Sequence, residues 1–387
     1  IYTGEDTLSL HDALPILDFN FSEEQEAIRA LADEVFTSKA TIERTKEIEL
    51  SAERVDRELW RELASTGLLG IALPEEFGGG GLGLSELYAL LEQQGRHVAA
   101  VPIWETTLAA LAVNEFGSDS LRAELLPGVA DGSRFLTVGL EEFGPYTGGD
   151  PLTTAEQDAD GNWTVTGEKA VVPMTHVANL ALVSATASTG TALLLVDLSA
   201  EGVTLEQTQS TNWEICANVT FAGAPAQLIG AADGTTVPWL IDRVELALAA
   251  IQWGVGSGAV AQAVTYLNGR KQFGRPLATF QAVNHQLADC YIDLEAMRVT
   301  LWQAAWRISE GLDLGTSVLV AKWWATDGGQ RVVHRTTHVH GGMGVDTDYP
   351  VHRHLLWGKQ IAATLGGSSS DLARLGAQLA SGVEVLA

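Results

Sequence analysis

The residues best able to do chemistry lie in two short stretches of the C-terminal half. In "GRKQFGRPLATFQ" (269–281), Arg270 carries a guanidinium that can fork onto a phosphate, and Phe273 offers a ring that can pack on another. In "HVHGGMGVDTDYP" (338–350), the Gly341–Gly342 pair lets backbone N–H groups come close to a ligand. On residue types alone, Arg270 could equally pair with Asp289 or Glu295, and Phe273 could be core. His334 and His338 stand four apart, as two metal ligands on a helix would, with His340, His352 and His354 nearby. No Glu follows the first His and no Cys or carboxylate completes a set, so no metal site is assigned.

The elements that must position these residues follow from pattern. Ser22 with Gln25 is a capping box opening "SEEQEAIRALADEVF", whose apolar residues recur at three and four. "DRELWRELASTG" is a second amphipathic helix, ended by Gly67. "LLGIALPEEFGGGGLG" is a punctuated loop before a helix from Ser85 to about Arg96, and two more apolar helices run to Val129. From Phe135 to about Ile229 short β-branched runs alternate with turns, Asp160-Gly161 being a hairpin signal. Helices return at roughly 237–269, 280–311, 315–340 and 370–381. The expectation is α+β: a helical domain over 17–133, an antiparallel β domain over 134–235, and a helical domain over 236–387. Residues 1–16, "IYTGEDTLSLHDALPI", have no clear pattern and are set aside as a non-native segment.

Composition narrows the function. The 387 residues carry 49 acidic against 23 basic side chains, a net charge of −26. Nucleic acid and anionic membranes are poor partners for such a surface. Cys216 and Cys290 lie far apart in apolar contexts and fit a reduced, cytoplasmic compartment. "ELALAAIQWGVGSGAVAQAV" reads as a buried helix and not as a membrane span.

Three stretches, in order, resemble the signatures of the acyl-CoA dehydrogenase family: 67–96, 269–298 and 338–367. The resemblance implies a helical domain, a middle β domain and a C-terminal four-helix bundle. It implies an FAD-dependent enzyme that turns an acyl-CoA thioester into its 2-enoyl-CoA. A carboxylate would take the α proton, and donors would face the thioester oxygen as enolate charge develops. The family's cross-subunit arm, which holds the cofactor's pyrophosphate and adenine, matches Arg270, Phe273, Gln281, His338, Gly341 and Gly342. His338 stands where the family usually has Gln. An electron-transfer flavoprotein is the acceptor this family generally uses.

Other positions depart from the family. Where it has a Trp-Ile-Thr that meets the flavin, this chain has Val171, Val172 and Pro173. Pro173 has neither hydroxyl nor N–H to donate. The usual catalytic Glu matches Gly366, which cannot accept a proton. A second family location for the base, on an earlier helix, matches Val244, with Glu245 one residue and about 100° further round. Glu245 is therefore the candidate base within this chain, with Asp242 behind it, and an ordinary helix-surface or ion-paired carboxylate is the alternative. Three functional readings follow. The chain is one half of an α2β2 enzyme whose base lies in a second acyl-CoA dehydrogenase-like subunit. Or it is a homotetramer that uses Glu245. Or it is a non-catalytic relative.

Overall fold

The computed structural model describes residues 21–145 and 149–383. The segment 1–16 lies outside the described residues. Helix α1 (Glu23–Lys39) starts on the predicted capping box: the Ser22 hydroxyl accepts from the Gln25 N–H, and the Gln25 side chain accepts from the Ser22 N–H. Helix α2 (Ile42–Leu50) has no clear apolar stripe, and of its residues Ile48 is buried. Helix α3 (Arg57–Ser65) is capped by Asp56, on which Arg44 forks with two hydrogen bonds of 2.9 Å. Helices α4 (Leu84–His97), α5 (Ile103–Phe116) and α6 (Asp119–Ala130) complete the first helical layer.

Seven strands follow: β1 (Leu136–Gly139), β2 (Thr154–Gln157), β3 (Trp163–Pro173), β4 (Leu180–Ala187), β5 (Gly190–Asp197), β6 (Val203–Gln209) and β7 (Ile215–Ile229). The order is β1-β4-β2-β3-β7-β5, with β6 on β7 and a further β4–β5 pairing that curls the sheet on itself. The antiparallel expectation holds for most pairs and is corrected for β1. That strand runs parallel to β4, with Leu136 opposite Leu180, and β2 meets β4 in parallel at Thr154. A parallel partner requires a long crossover, which β2 and β3 supply, so no local turn signal announces it.

The chain then forms α7 (Thr236–Gly269), a hairpin of β8 (Lys271–Gln272) and β9 (Arg275–Pro276), and α8 (Gln281–Ser309). Next come α9 (Ser317–Trp323), a π turn over Trp324–Gly328 and α10 (Gly329–Val339), one continuous rod. Helices α11 (Val351–Ala363) and α12 (Ser368–Ala380) end the described chain. Helix α7 is the centre of the molecule, buried on nearly every face. Among the described residues it is the one helix long and apolar enough to cross a membrane, yet 78% of its most apolar window is buried inside the protein. It crosses α4 where Gly95 meets Gly254: a Cβ on either would lie 2.0 Å from a carbonyl of the other helix.

Candidate active site and ligand arm

A cleft of about 1090 Å³, counting its open mouth, lies where β3, α4, α5, α7 and α11 converge. Its α7 wall is Val244, Leu248 and Ile251; its β wall includes Val171, Val172 and Pro173; Leu365 closes one side. Helix α7 thus turns Val244 to the cleft. Glu245 is not in the cleft wall. It is fully buried and bonds to Arg374 of α12, within a cluster that includes Lys322 and Asp371. One residue of helix turns the Glu245 carboxylate away from the cleft wall and into an ion pair. Burial raises its pKa, against Arg374 and Lys322, which lower it. Asp242 is pushed up to about 6, first by burial and then by the Glu245 charge.

Gly366 sits in the link between α11 and α12 at φ 105°, after Leu365 at φ 56°. Two groups grip this link: Lys322 donates to the Thr364 carbonyl at 2.9 Å, and Glu141 accepts from the Leu365 N–H. Burial raises the Glu141 pKa, partly offset by that N–H and by Lys322.

The β wall is equally particular. A bulge between Lys169 and Val172 puts Val171 at φ 51°, its N–H donating to Asn218 at 3.2 Å. The Pro173 carbonyl accepts from the Thr137 hydroxyl at 2.6 Å, so this turn presents the cleft with neither hydroxyl nor N–H at Pro173. Below it, the buried Lys169 ammonium reaches Glu142 at 2.7 Å and Ser184 at 3.0 Å. Burial pulls Lys169 down to about 8. Burial alone would raise Glu142, but Lys169 and the N–H groups of Thr153 and Leu152 outweigh it and hold the carboxyl low. The pair ties Glu142, and through it the N–H groups of Leu152 and Thr153, to the sheet.

Two carboxyls that the sequence reading missed meet in the cleft wall: Glu105 of α5 and Glu214, just before β7. Burial, and then the Glu214 charge, raise Glu105 well above the carboxylate range. Burial carries Glu214 up to about 7 against hydrogen bonds from Asn212 and Glu105. Burial and mutual proximity both disfavour charge on this pair. A signal was present for Glu105, a lone acid in the apolar run "IWETTLAALAV"; none linked it to Glu214. A carboxyl whose pKa rises from 4.5 to about 7 on folding stabilises the fold below pH 4.5 and loses that contribution as pH climbs through 7. Glu214→Gln should therefore flatten the decline of melting temperature between pH 5 and 8. An unchanged slope relative to wild type would refute the raised pKa.

The second constellation faces outward. Arg270 caps the end of α7, and Phe273, at φ 53° and 92% exposed, tips the β8–β9 hairpin. Asp289 lies 3.8 Å from Arg335. Gln281 opens α8; His338, in the last turn of α10, shares a 3.0 Å hydrogen bond with Gln286. Space is open around Gly341 (φ 60°) and Gly342 for a Cβ, hence for a ligand. Arg270, Phe273, Gln281, His338, Gly341 and Gly342 are all exposed, and none lines this chain's own cleft.

Comparison with known proteins agrees with this anatomy. The family models for the acyl-CoA dehydrogenase N-terminal domain and C-terminal domain match residues 22–133 and 239–378. Acyl-CoA dehydrogenase FadE27 of Mycobacterium tuberculosis is 36% identical over 374 residues, 94% of this chain and 99% of the relative. A solved structure, the Tcur3481-Tcur3483 steroid ACAD G363A variant, is 54% identical with a TM-score of 0.90, covering 93% of this chain and 98% of that one. The ChsE4-ChsE5 complex from Mycobacterium tuberculosis is 37% identical with a TM-score of 0.87, covering 96% and 100%. The chain belongs to the acyl-CoA dehydrogenase family, FAD flavoproteins that oxidise acyl-CoA thioesters.

Proposed function

We propose that this chain is the flavin-arm subunit of a heteromeric acyl-CoA dehydrogenase, and that the catalytic base belongs to a second, homologous subunit. The observation that carries the reading is the pairing of Gly366 with Val244: neither family location for the base holds a carboxylate here, and Glu245 is tied to Arg374. Similar chains occur in structures named as two-component assemblies, one of them called a steroid dehydrogenase, which favours a steroid side-chain thioester as substrate.

The residues present fit FAD at one end only. The arm fits the pyrophosphate and adenine: Arg270 would fork onto phosphate, Phe273 would pack on a ring, and the Gly341–Gly342 backbone would come close to anionic oxygen. The ring cradle of this chain fits poorly, because Pro173 has no donor and Val171 no stacking plane. FAD bound there would supply the acceptor for the β hydride. This chain's part is to hold and orient the cofactor's far end, while the partner's acid and donors face the thioester. An electron-transfer flavoprotein is the proposed acceptor.

The test is to express this chain alone and with a Glu-bearing partner, reading flavin absorbance per chain and bleaching by acyl-CoA. The expected result is a colourless lone chain and a yellow pair with one flavin per two chains that bleaches. Arg270→Ala in this chain should cut the pair's flavin affinity by about tenfold or more, the scale of a lost charge-assisted pair. A lone chain that is yellow and bleaches would sink the reading, and Glu245→Gln would then show whether that residue is the base.

A further inference from the structure

Arg54 is the one basic side chain among the residues that line the cleft. It is half-buried in the link between α2 and α3, where that link meets the β6–β7 turn. Ala52 and Thr211, two residues from Arg54 and Trp213, are exposed, which places the meeting point at the rim. The Arg54 backbone stands at φ 52°, its N–H donating to the Ser51 hydroxyl at 2.9 Å. One guanidinium N–H donates to the Trp213 carbonyl at 2.9 Å, and Trp213 is itself at φ 70°. Of the seven non-glycine residues with positive φ among the described residues, five line this cleft: Arg54, Val171, Met174, Trp213 and Leu365. Such backbone persists where the surrounding structure over-determines it, and it clusters at ligand clamps. Arg54 enters no ion pair among the described residues, because the neighbouring acids are engaged elsewhere. Glu53 bonds to Arg57, Glu49 forks with Arg353 at 2.6 Å, and burial disfavours charge on Glu214.

We propose that Arg54 is the recognition residue of this cleft: it binds an anionic oxygen group, a carboxylate or a phosphate, on a molecule whose apolar body lies along the aliphatic wall. A guanidinium carries its N–H donors in a planar fork, and the Trp213 carbonyl takes one of them. Two of the others suffice to grip an anion, with bonds about twice as strong as those to a neutral oxygen. Val244, Leu248 and Ile251 supply the wall for the body. The chain's net charge of −26 repels anions at long range, so an anion that binds here is held by local contact. This assignment goes beyond the half-site reading: it needs neither flavin nor base, and it holds whichever subunit removes the proton.

The experiment uses the full chain in the assembly in which it purifies, titrated calorimetrically with octanoate, octyl phosphate, 1-octanol and octylammonium. At least one of the two anions should bind about tenfold more tightly than the alcohol, and the ammonium more weakly than the alcohol. A preference for octanoate alone assigns the site to carboxylates, and one for octyl phosphate alone assigns it to phosphates. In Arg54→Gln, which keeps an N–H donor for the Trp213 carbonyl, the anion's advantage should vanish while 1-octanol binds as before. Arg61→Gln, outside the cleft, should keep that advantage. Equal binding of anions and alcohol to the wild type, a preference for the ammonium, or an advantage that survives in a folded Arg54→Gln chain would each overturn the proposal. If Arg54→Gln does not fold, carboxyl-¹³C octanoate bound to the wild type decides. Contact with the guanidinium should make it titrate below the free acid, whereas titration at or above the free acid rejects the contact. No readout involves flavin or turnover, so failure here leaves the half-site reading standing. Conversely, a base found within this chain would leave the probe preferences unchanged.

Discussion

Gly254→Val should leave the chain insoluble or without a cooperative unfolding transition. The Cβ of any replacement would lie 2.0 Å from the Glu92 carbonyl oxygen and 2.8 Å from the Arg96 nitrogen, both backbone atoms that cannot rotate away. The two helices would have to separate along a contact that includes Gly95 on the other side, undoing the central packing of α4 on α7. Overpacking that displaces only side chains costs about 1–3 kcal/mol, so a backbone collision at the heart of the fold should exceed ~3 kcal/mol. Gly376→Ala is the control. It lies inside α12 with nothing within 4 Å of its Cβ, and it should raise stability by ~0.5–1 kcal/mol. Urea midpoints of the two variants check both signs, and a Gly254→Val chain as stable as wild type would refute the close contact.

Lys322→Met should be nearly as damaging. The Lys322 ammonium is 1% exposed and donates to Thr326 and to the Thr364 carbonyl. It offsets the charges of Asp371, Glu245 and Glu141, which converge on it from α12, α7 and the loop after β1. Burial pulls its pKa down, and those three carboxylates pull it up. Without it, Glu245 and Asp371, each with one oxygen already unpartnered, would share Arg374 as their remaining cation. Leaving these buried carboxylates without that compensating charge should cost about 3 kcal/mol or more, the scale of an uncompensated buried charge. The loss should grow with pH. Removing the cation raises the folded-state pKa of Glu245 and Glu141, and such a group loses its stabilising contribution as pH rises through that value. Urea unfolding at pH 5 and pH 8 should show the larger penalty at pH 8; equal penalties would count against the network.

The sequence made some of this architecture plain and concealed the rest for identifiable reasons. The α1 cap was legible because its signal is local: Ser22 and Gln25 are three residues apart and satisfy each other. The turn of α7 that faces the cleft was legible through the family resemblance, whose earlier-helix base position matches Val244, a residue of the cleft wall. Helix α11 was not anticipated. Its sequence, "VHRHLLWGKQIAA", buries His352, Arg353 and His354, so its polar residues do not mark an outer face. The bond of Arg353 to Glu49 of α2 makes that burial possible, and nothing local to either element reveals it. Neither the parallel β1–β4 register nor the Glu105–Glu214 pair could be read off, because each joins residues that only tertiary folding brings together.

The central crossing of α4 and α7 joins segments that lie on either side of the whole β domain in sequence. A ribosome therefore releases α4, with its apolar face complete, well before the helix that will cover that face exists. The strands must be synthesised, and can fold on their own cluster around Val165, Leu194 and Phe221, while the first helices wait half-assembled. Such a nascent chain is exposed to aggregation for the time it takes to translate the β domain. Slowing translation across that domain should lower the yield of native protein more than slowing it after α7 has emerged.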